Sequence, residues 1–187
     1  MTESVAPAEP AWVAPTHRAL TDAGVRIVGS VPDGGLRHLL VRLDTDPAIT
    51  TVRLTTEEEG VALACGAWLG GSRAALLMQS SGVGNCINML GLLSSCRIPA
   101  LLVVTMRGQA DETNPWQVPM GSVAGDALRL MGIDVRTVVT SDGVPGAVAR
   151  ALADAFGPHG STDRGGGATA VLIDQRIIGV KMFEGDR

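Results

Sequence analysis

Ala74-Ala75-Leu76-Leu77-Met78-Gln79-Ser80-Ser81-Gly82-Val83-Gly84-Asn85 carries the strongest fold signal in the sequence. Its first six residues are almost continuously apolar and lack the alternation of a half-solvated strand. That is the pattern of a short strand buried on both faces, as in a parallel sheet. The Ser/Gly run reads as a strand-to-helix loop, and Cys86 to Ser95 as the helix it feeds.

Working outward, the same unit recurs. Val25–Val31, Ile49–Leu54, Pro99–Thr105, Val135–Val139 and Ala168–Asp174 read as further strands. Trp12–Ala23, Leu36–Leu43, Gly121–Met131 and Pro145–Phe156 read as helices between them, as does the segment opening at Glu57. Strands alternating with helices predict an α/β domain. It is a single, doubly wound, mostly parallel sheet flanked by helices, with right-handed crossovers. Ligands in such sheets lie beyond the carboxyl ends of strands. Three of those ends are Val31-Pro32-Asp33, Ser80–Asn85 and the non-periodic segment from Met106 to Met120. The expected organisation is a disordered leader over 1–11, one domain over 12–174 and a C-terminal tail over 175–187.

Composition narrows the function classes. The 187 residues suffice for one sizeable core, and 45% of them are hydrophobic, which suits a sheet covered on both faces. A net charge of −4 gives no electrostatic case for nucleic acid. No apolar run approaches the roughly 20 residues of a membrane span. Cys65, Cys86 and Cys96 show neither CxxC nor zinc-like spacing and read as buried, reduced thiols of a cytoplasmic protein. His17, His38 and His159 are scattered, and no metal cluster stands out.

The other informative stretch is Thr56-Glu57-Glu58-Glu59, three acids opening a helix of small apolar residues. Thr56 and Glu59 have the spacing of a capping box. Acids in a first turn also complement the helix dipole. Glu58 leads a face through Val61, Ala62, Cys65 and Leu69. Glu57 leads an equally apolar one through Val61, Ala64 and Trp68, so periodicity does not choose between them. The Ser80–Asn85 run is neither a P-loop nor a G-x-G-x-x-G fingerprint.

Glu57 to Leu69 resembles the pyrimidine-binding (PYR) domain of thiamine-diphosphate enzymes, in which an acid is followed by small residues and an aromatic ten positions on. Registering Trp68 on that aromatic assigns the acid to Glu58. Ser81-Gly82-Val83-Gly84-Asn85…Asn88 resembles the family's Ser-Gly-x-Gly-x-x-Asn segment. The turn Val31-Pro32-Asp33, the run Met78 to Asn85, Arg107-Gly108 and Val118-Pro119-Met120-Gly121 are similar to the sulfopyruvate and phosphonopyruvate decarboxylases.

The resemblance implies that Glu58 is catalytic and hydrogen-bonds N1′ of the cofactor's aminopyrimidine. It implies that Met78, Ser81, Gly82, Val83 and Asn85 line the cofactor, and that Pro32, Asp33, Arg107 and Gln117 face the substrate, a small 2-oxo acid. Arg107 or His38 could meet a sulfonate or phosphonate. The cofactors implied are thiamine diphosphate and Mg²⁺. The Gly-Asp-Gly…Asn motif that holds diphosphate and metal in the family's PP domain is missing. The resemblance therefore implies a partner β subunit carrying that domain, in a hetero-oligomer. A carboligase on the same scaffold and a non-catalytic α/β module are the alternatives.

Overall fold

Strand β3 (Arg73–Gln79) lies inside a sheet of six parallel strands ordered β2-β1-β3-β4-β6-β5. The others are β1 (Val25–Ser30), β2 (Thr50–Arg53), β4 (Leu101–Thr105), β5 (Asp134–Val138) and β6 (Thr169–Ile173). The structure is a computed structural model and describes residues 8–110, 112–157 and 167–179. The sheet-and-helix architecture is the one expected from the strand pattern.

Alternation along the central strands divides the core in two. Ala75, Leu77, Leu101, Val103, Val171 and Ile173 face one layer of helices, α1 (Val13–Asp22), α2 (Arg37–Thr45) and α6 (Gly143–Phe156). Ala74, Leu76, Met78, Leu102, Val104, Ala170 and Leu172 face the other, α3 (Glu57–Leu69), α4 (Ser80–Ser95) and α5 (Val118–Leu130). Such strands must be apolar on every residue, which is why β4 and β6 are buried throughout. Each fully buried aliphatic side chain contributes about 1.5–3 kcal/mol relative to leaving it in water. Truncating Leu76 or Leu102, both 0% exposed, to Ala would cost about 2–5 kcal/mol.

The connection after β1 leaves through α2 on the first layer, and that after β3 leaves through α4 on the second. The order therefore reverses between neighbouring β1 and β3. That is a topological switch point, where open α/β sheets leave a crevice at the strand ends.

Four local expectations change. Ser80–Asn85 is not a loop: α4 begins at Ser80, directly at the end of β3. Its glycines are there for close approach, Gly82 beneath the Glu57 side chain and Gly84 beneath Met120, so packing outweighs their poor helix propensity. The capping box does not form: the Thr56 side chain makes no cap bond, and Glu59 reaches one residue further back, accepting the Thr55 N–H at 2.8 Å. Helix α5 starts at Val118, preceded by a 3₁₀ turn over Pro115–Gln117, so Val118 to Met120 are helical. The tail opens with a short helix, α7 (Gln175–Ile178), whose Gln175 is buried.

At the other end, Glu9 pairs with Arg42 and Trp12 is buried; residues 1–7 of the expected leader, His159 and the tail from 180 lie outside the described residues. Cys96 is exposed rather than buried. No helix among the described residues is long and apolar enough to cross a membrane.

Candidate active site

The carboxyl ends of β1, β3 and β4 are tied by one hydrogen-bond network. Asp33, just after β1, accepts from the Gln79 amide at 3.1 Å through Oδ1. Its Oδ2 accepts the Thr105 hydroxyl at 2.7 Å and the Gly35 N–H at 3.2 Å. Ser81 Oγ donates to Gln79 Oε1 at 2.9 Å, which extends the network onto the first turn of α4. Asp33 is only 8% exposed, so its carboxylate fixes the turn after β1, while its neighbour Pro32 is exposed. Gln79 and Thr105 escaped the sequence reading. The available signal was that each is the polar residue ending an otherwise apolar strand.

Beside this network, α3 opens against α4. Glu57 is 8% exposed, although it stands in the first turn of a helix. A β-carbon on Gly82 would lie 2.5 Å from its Oε1, so the carboxylate rests in space that only glycine leaves open. Asn85 Nδ2 donates to Glu57 Oε2 at 2.8 Å. The Cys86 thiol is pushed up to about 12, chiefly by burial and then by the charges of Glu57 and Glu58, so it stays neutral.

Glu58, the residue expected to be catalytic, is exposed, as is Glu59. The face behind Glu57 is the buried one, with Val61 and Ala64 at 0% and 1% exposure; Ala62 and Leu69, on the Glu58 side, are exposed. The assignment to Glu58 came from Trp68, which lies at the far end of α3 against Phe156, remote from the helix mouth. The geometry therefore favours Glu57.

Of the residues expected to line a cofactor, Ser81, Gly82 and Asn85 gather around Gln79 and Glu57. The Met78 and Val83 side chains do not. Both belong to the core between the sheet and α3–α5, at 2% and 0% exposure.

Arg107 is likewise not an open anion-binding group. It is 2% exposed, and its guanidinium is spent on Glu112 in a bidentate pair, Nε–Oε2 at 2.7 Å and Nη2–Oε1 at 2.5 Å. Glu112 also accepts the Gly108 and Asn114 N–H groups at 3.0 Å and the Gln175 amide at 2.9 Å. The Arg107 hydrogen bonds, with those N–H groups, outweigh burial and hold the Glu112 carboxyl at about 2. Gln175 and Gln109 exchange two further bonds, at 2.9 and 2.8 Å, so the loop after β4 is latched to α7. At its base Gly108 has φ +71°, and a β-carbon there would lie 2.1 Å from the Gln117 carbonyl oxygen. Only glycine closes that turn. Gln117 is half-buried, and its Oε1 has no hydrogen-bond partner among the described residues.

Two cavities open around the turn after β1, and neither is lined by Glu57, Gly82 or Asn85. One, of about 700 Å³, includes Pro32, Asp33, Arg37 and Arg53 in its lining. The other, of about 370 Å³, includes Gly34, Gly35, Arg37, His38 and the edge of Arg107. Among the described residues no group of three His, Cys, Asp or Glu is placed to hold a metal ion. Trp116, in the turn before α5, and Val123 and Leu130 of α5 recur every seven residues at 83%, 47% and 86% exposure. Ile87 and Leu92 of α4 are exposed as well.

This constellation can be set beside known proteins. No family model matches the chain. The chain is 44% identical over 122 residues to the sulfopyruvate decarboxylase subunit alpha of Methanothermobacter thermautotrophicus, covering 65% of this chain and 74% of that one. It is 41% identical over 117 residues to the phosphonopyruvate decarboxylase of Streptomyces viridochromogenes, covering 62% of this chain and 30% of that longer one. Among solved structures, a candidate thiamin diphosphate-dependent enzyme from Mycobacterium smegmatis superposes with a TM-score of 0.70 over 90% of this chain and 31% of its own, at 17% identity.

Proposed function

The chain belongs to the family of the sulfopyruvate decarboxylase alpha subunits, and we propose that it is the aminopyrimidine-binding half of a two-subunit, thiamine-diphosphate-dependent decarboxylase acting on a small 2-oxo acid of the sulfopyruvate or phosphonopyruvate class. One observation carries the reading: a buried carboxylate, Glu57, at the mouth of α3, seated on Gly82 and held by Asn85. Gly82 leaves the room that this carboxylate occupies, and Glu57 is the buried acid placed to engage N1′ of the cofactor's aminopyrimidine ring.

When bound, thiamine diphosphate supplies the carbanion and electron sink that decarboxylation of a 2-oxo acid requires. The chain's own part is placement and one proton-handling group. Glu57, itself 8% exposed, accepts and returns a proton at the ring nitrogen. Asp33, Gln79 and Thr105 hold the strand ends against which the substrate lies. With Arg107 committed to Glu112, the cations left to meet a sulfonate or phosphonate are Arg37 and His38 at the smaller cavity and Arg53 at the larger.

The diphosphate and Mg²⁺ fall to a partner subunit. That partner covers the exposed apolar residues Trp116, Val123 and Leu130; α5, which carries the last two, packs against α4, the helix of Gly82 and Asn85. The alpha-subunit name of the methanogen relative, and the greater length of the Streptomyces relative, support a second component. The test is to purify the chain alone and co-expressed with its candidate partner. Decarboxylation is expected only from the complex, and robust turnover by the single chain would overturn the reading.

A further inference from the structure

Glu57 is the first residue of α3, and nothing in its own helix fixes its carboxylate. What fixes it comes from α4. Gly82 and Asn85 are three residues apart, one helical turn, and so share a face. Gly82 provides the floor under the carboxylate, and Asn85 Nδ2 reaches Oε2 at 2.8 Å. A carboxylate only accepts, so the amide must present its NH₂ and not its oxygen; the orientation is determined by chemistry. Among the described residues Glu57 Oε1 accepts no hydrogen bond.

We infer that Asn85 is a positioning residue that occupies one oxygen of Glu57, fixes the carboxylate plane and leaves Oε1 for the cofactor ring. This rests on the reading of Glu57 as the acid that engages N1′. A swinging carboxylate would present either oxygen at many angles, and proton transfer falls steeply with such misplacement. The Asn85 amide removes that freedom at the cost of one charge-assisted hydrogen bond, which is already made before the ring arrives.

The experiment uses the complex with the cofactor-holding subunit. It measures two quantities: the dissociation constant for thiamine diphosphate with Mg²⁺, and the rate of hydrogen–deuterium exchange at C2 of the bound cofactor. For Asn85→Ala the exchange rate is expected to fall about 10- to 100-fold, the worth of a hydrogen bond to a charged group, while the dissociation constant changes by only about 3-fold or less. Asn85→Asp, which sets a second acceptor against Glu57, should fall further, and Asn85→Ser, which keeps a shorter donor, should lie between alanine and the native residue. Glu57→Gln in parallel separates the two claims. Loss of exchange in Glu57→Gln with native exchange in Asn85→Ala overturns the positioning role alone. Native exchange in Glu57→Gln overturns the reading of the site and the inference with it. If Asn85→Ala fails to assemble, native exchange in Asn85→Asp is the overturning result.

Discussion

Gly82 and Glu57 fit each other: a β-carbon at position 82 would stand 2.5 Å from Glu57 Oε1 and 2.6 Å from its Cδ. Helices α3 and α4 can approach this closely only because residue 82 has no side chain. The same contact buries the carboxylate that the proposed chemistry needs.

Gly82→Ala therefore sets two effects against each other. Alanine in a helix gains roughly 1 kcal/mol of propensity over glycine. Against it stand about 1–3 kcal/mol of overpacking and a displaced acid. The displacement decides function, since a misplacement of about 1 Å can cost on the order of 100-fold. We expect a fall in kcat of about that size in the assembled enzyme, with thermal unfolding of the chain shifted by only a few degrees.

The Arg107–Glu112 pair is buried, and its loss should be read in stability. Arg107→Met would leave Glu112 with its side chain 1% exposed and its strongest partner gone. Breaking a buried pair from one side costs about 3–5 kcal/mol. Urea unfolding should show that loss, and the double change Arg107→Met with Glu112→Gln, which removes the unpaired charge and keeps an acceptor for the Gly108 and Asn114 N–H groups, should recover part of it.

The same carboxylate gives a pH signature. Its value lies at about 2 in the fold against an ordinary 4.5, so the unfolded chain binds the proton more readily. The latch contributes fully above 4.5 and is lost as pH falls from there through about 2. The protection of the Gly108 and Asn114 amides, relative to their intrinsic exchange at each pH, should fall across that window, and Glu112→Gln should abolish that fall.

The exposed apolar residues of α5 and the turn before it offer a test of assembly. Trp116→Glu or Leu130→Glu removes apolar area from the proposed interface without touching the core, since both are more than four-fifths exposed. Co-purification with the partner subunit should fall at least ~10-fold, while the circular dichroism of the isolated chain stays native.

The sheet was legible because burial on both faces forces continuous apolar strands; Ala74–Gln79 and Leu101–Thr105 admit little else. The site was legible as a region, at three strand ends, but less so residue by residue. The Ser80–Asn85 glycines signal a loop locally, and only the neighbouring Glu57 and Met120 explain why they sit inside a helix. Arg107 read as an available cation because its partner, Glu112, is close in sequence yet only a folded turn lets it accept five hydrogen bonds. Glu57 and Glu58 could not be separated by a single helix, because each leads an apolar face. The layer packed against α3 separates them, and no property of the helix itself encodes that layer.

The choice between those two acids is the centre of the account. Glu57→Gln and Glu58→Gln, each assembled with the partner subunit, should be compared in steady-state decarboxylation at saturating thiamine diphosphate and Mg²⁺. A loss of at least ~100-fold is expected for Glu57→Gln, the scale of a lost general acid–base group, and turnover within about 3-fold of native for Glu58→Gln. The reverse pattern would contradict the choice of Glu57.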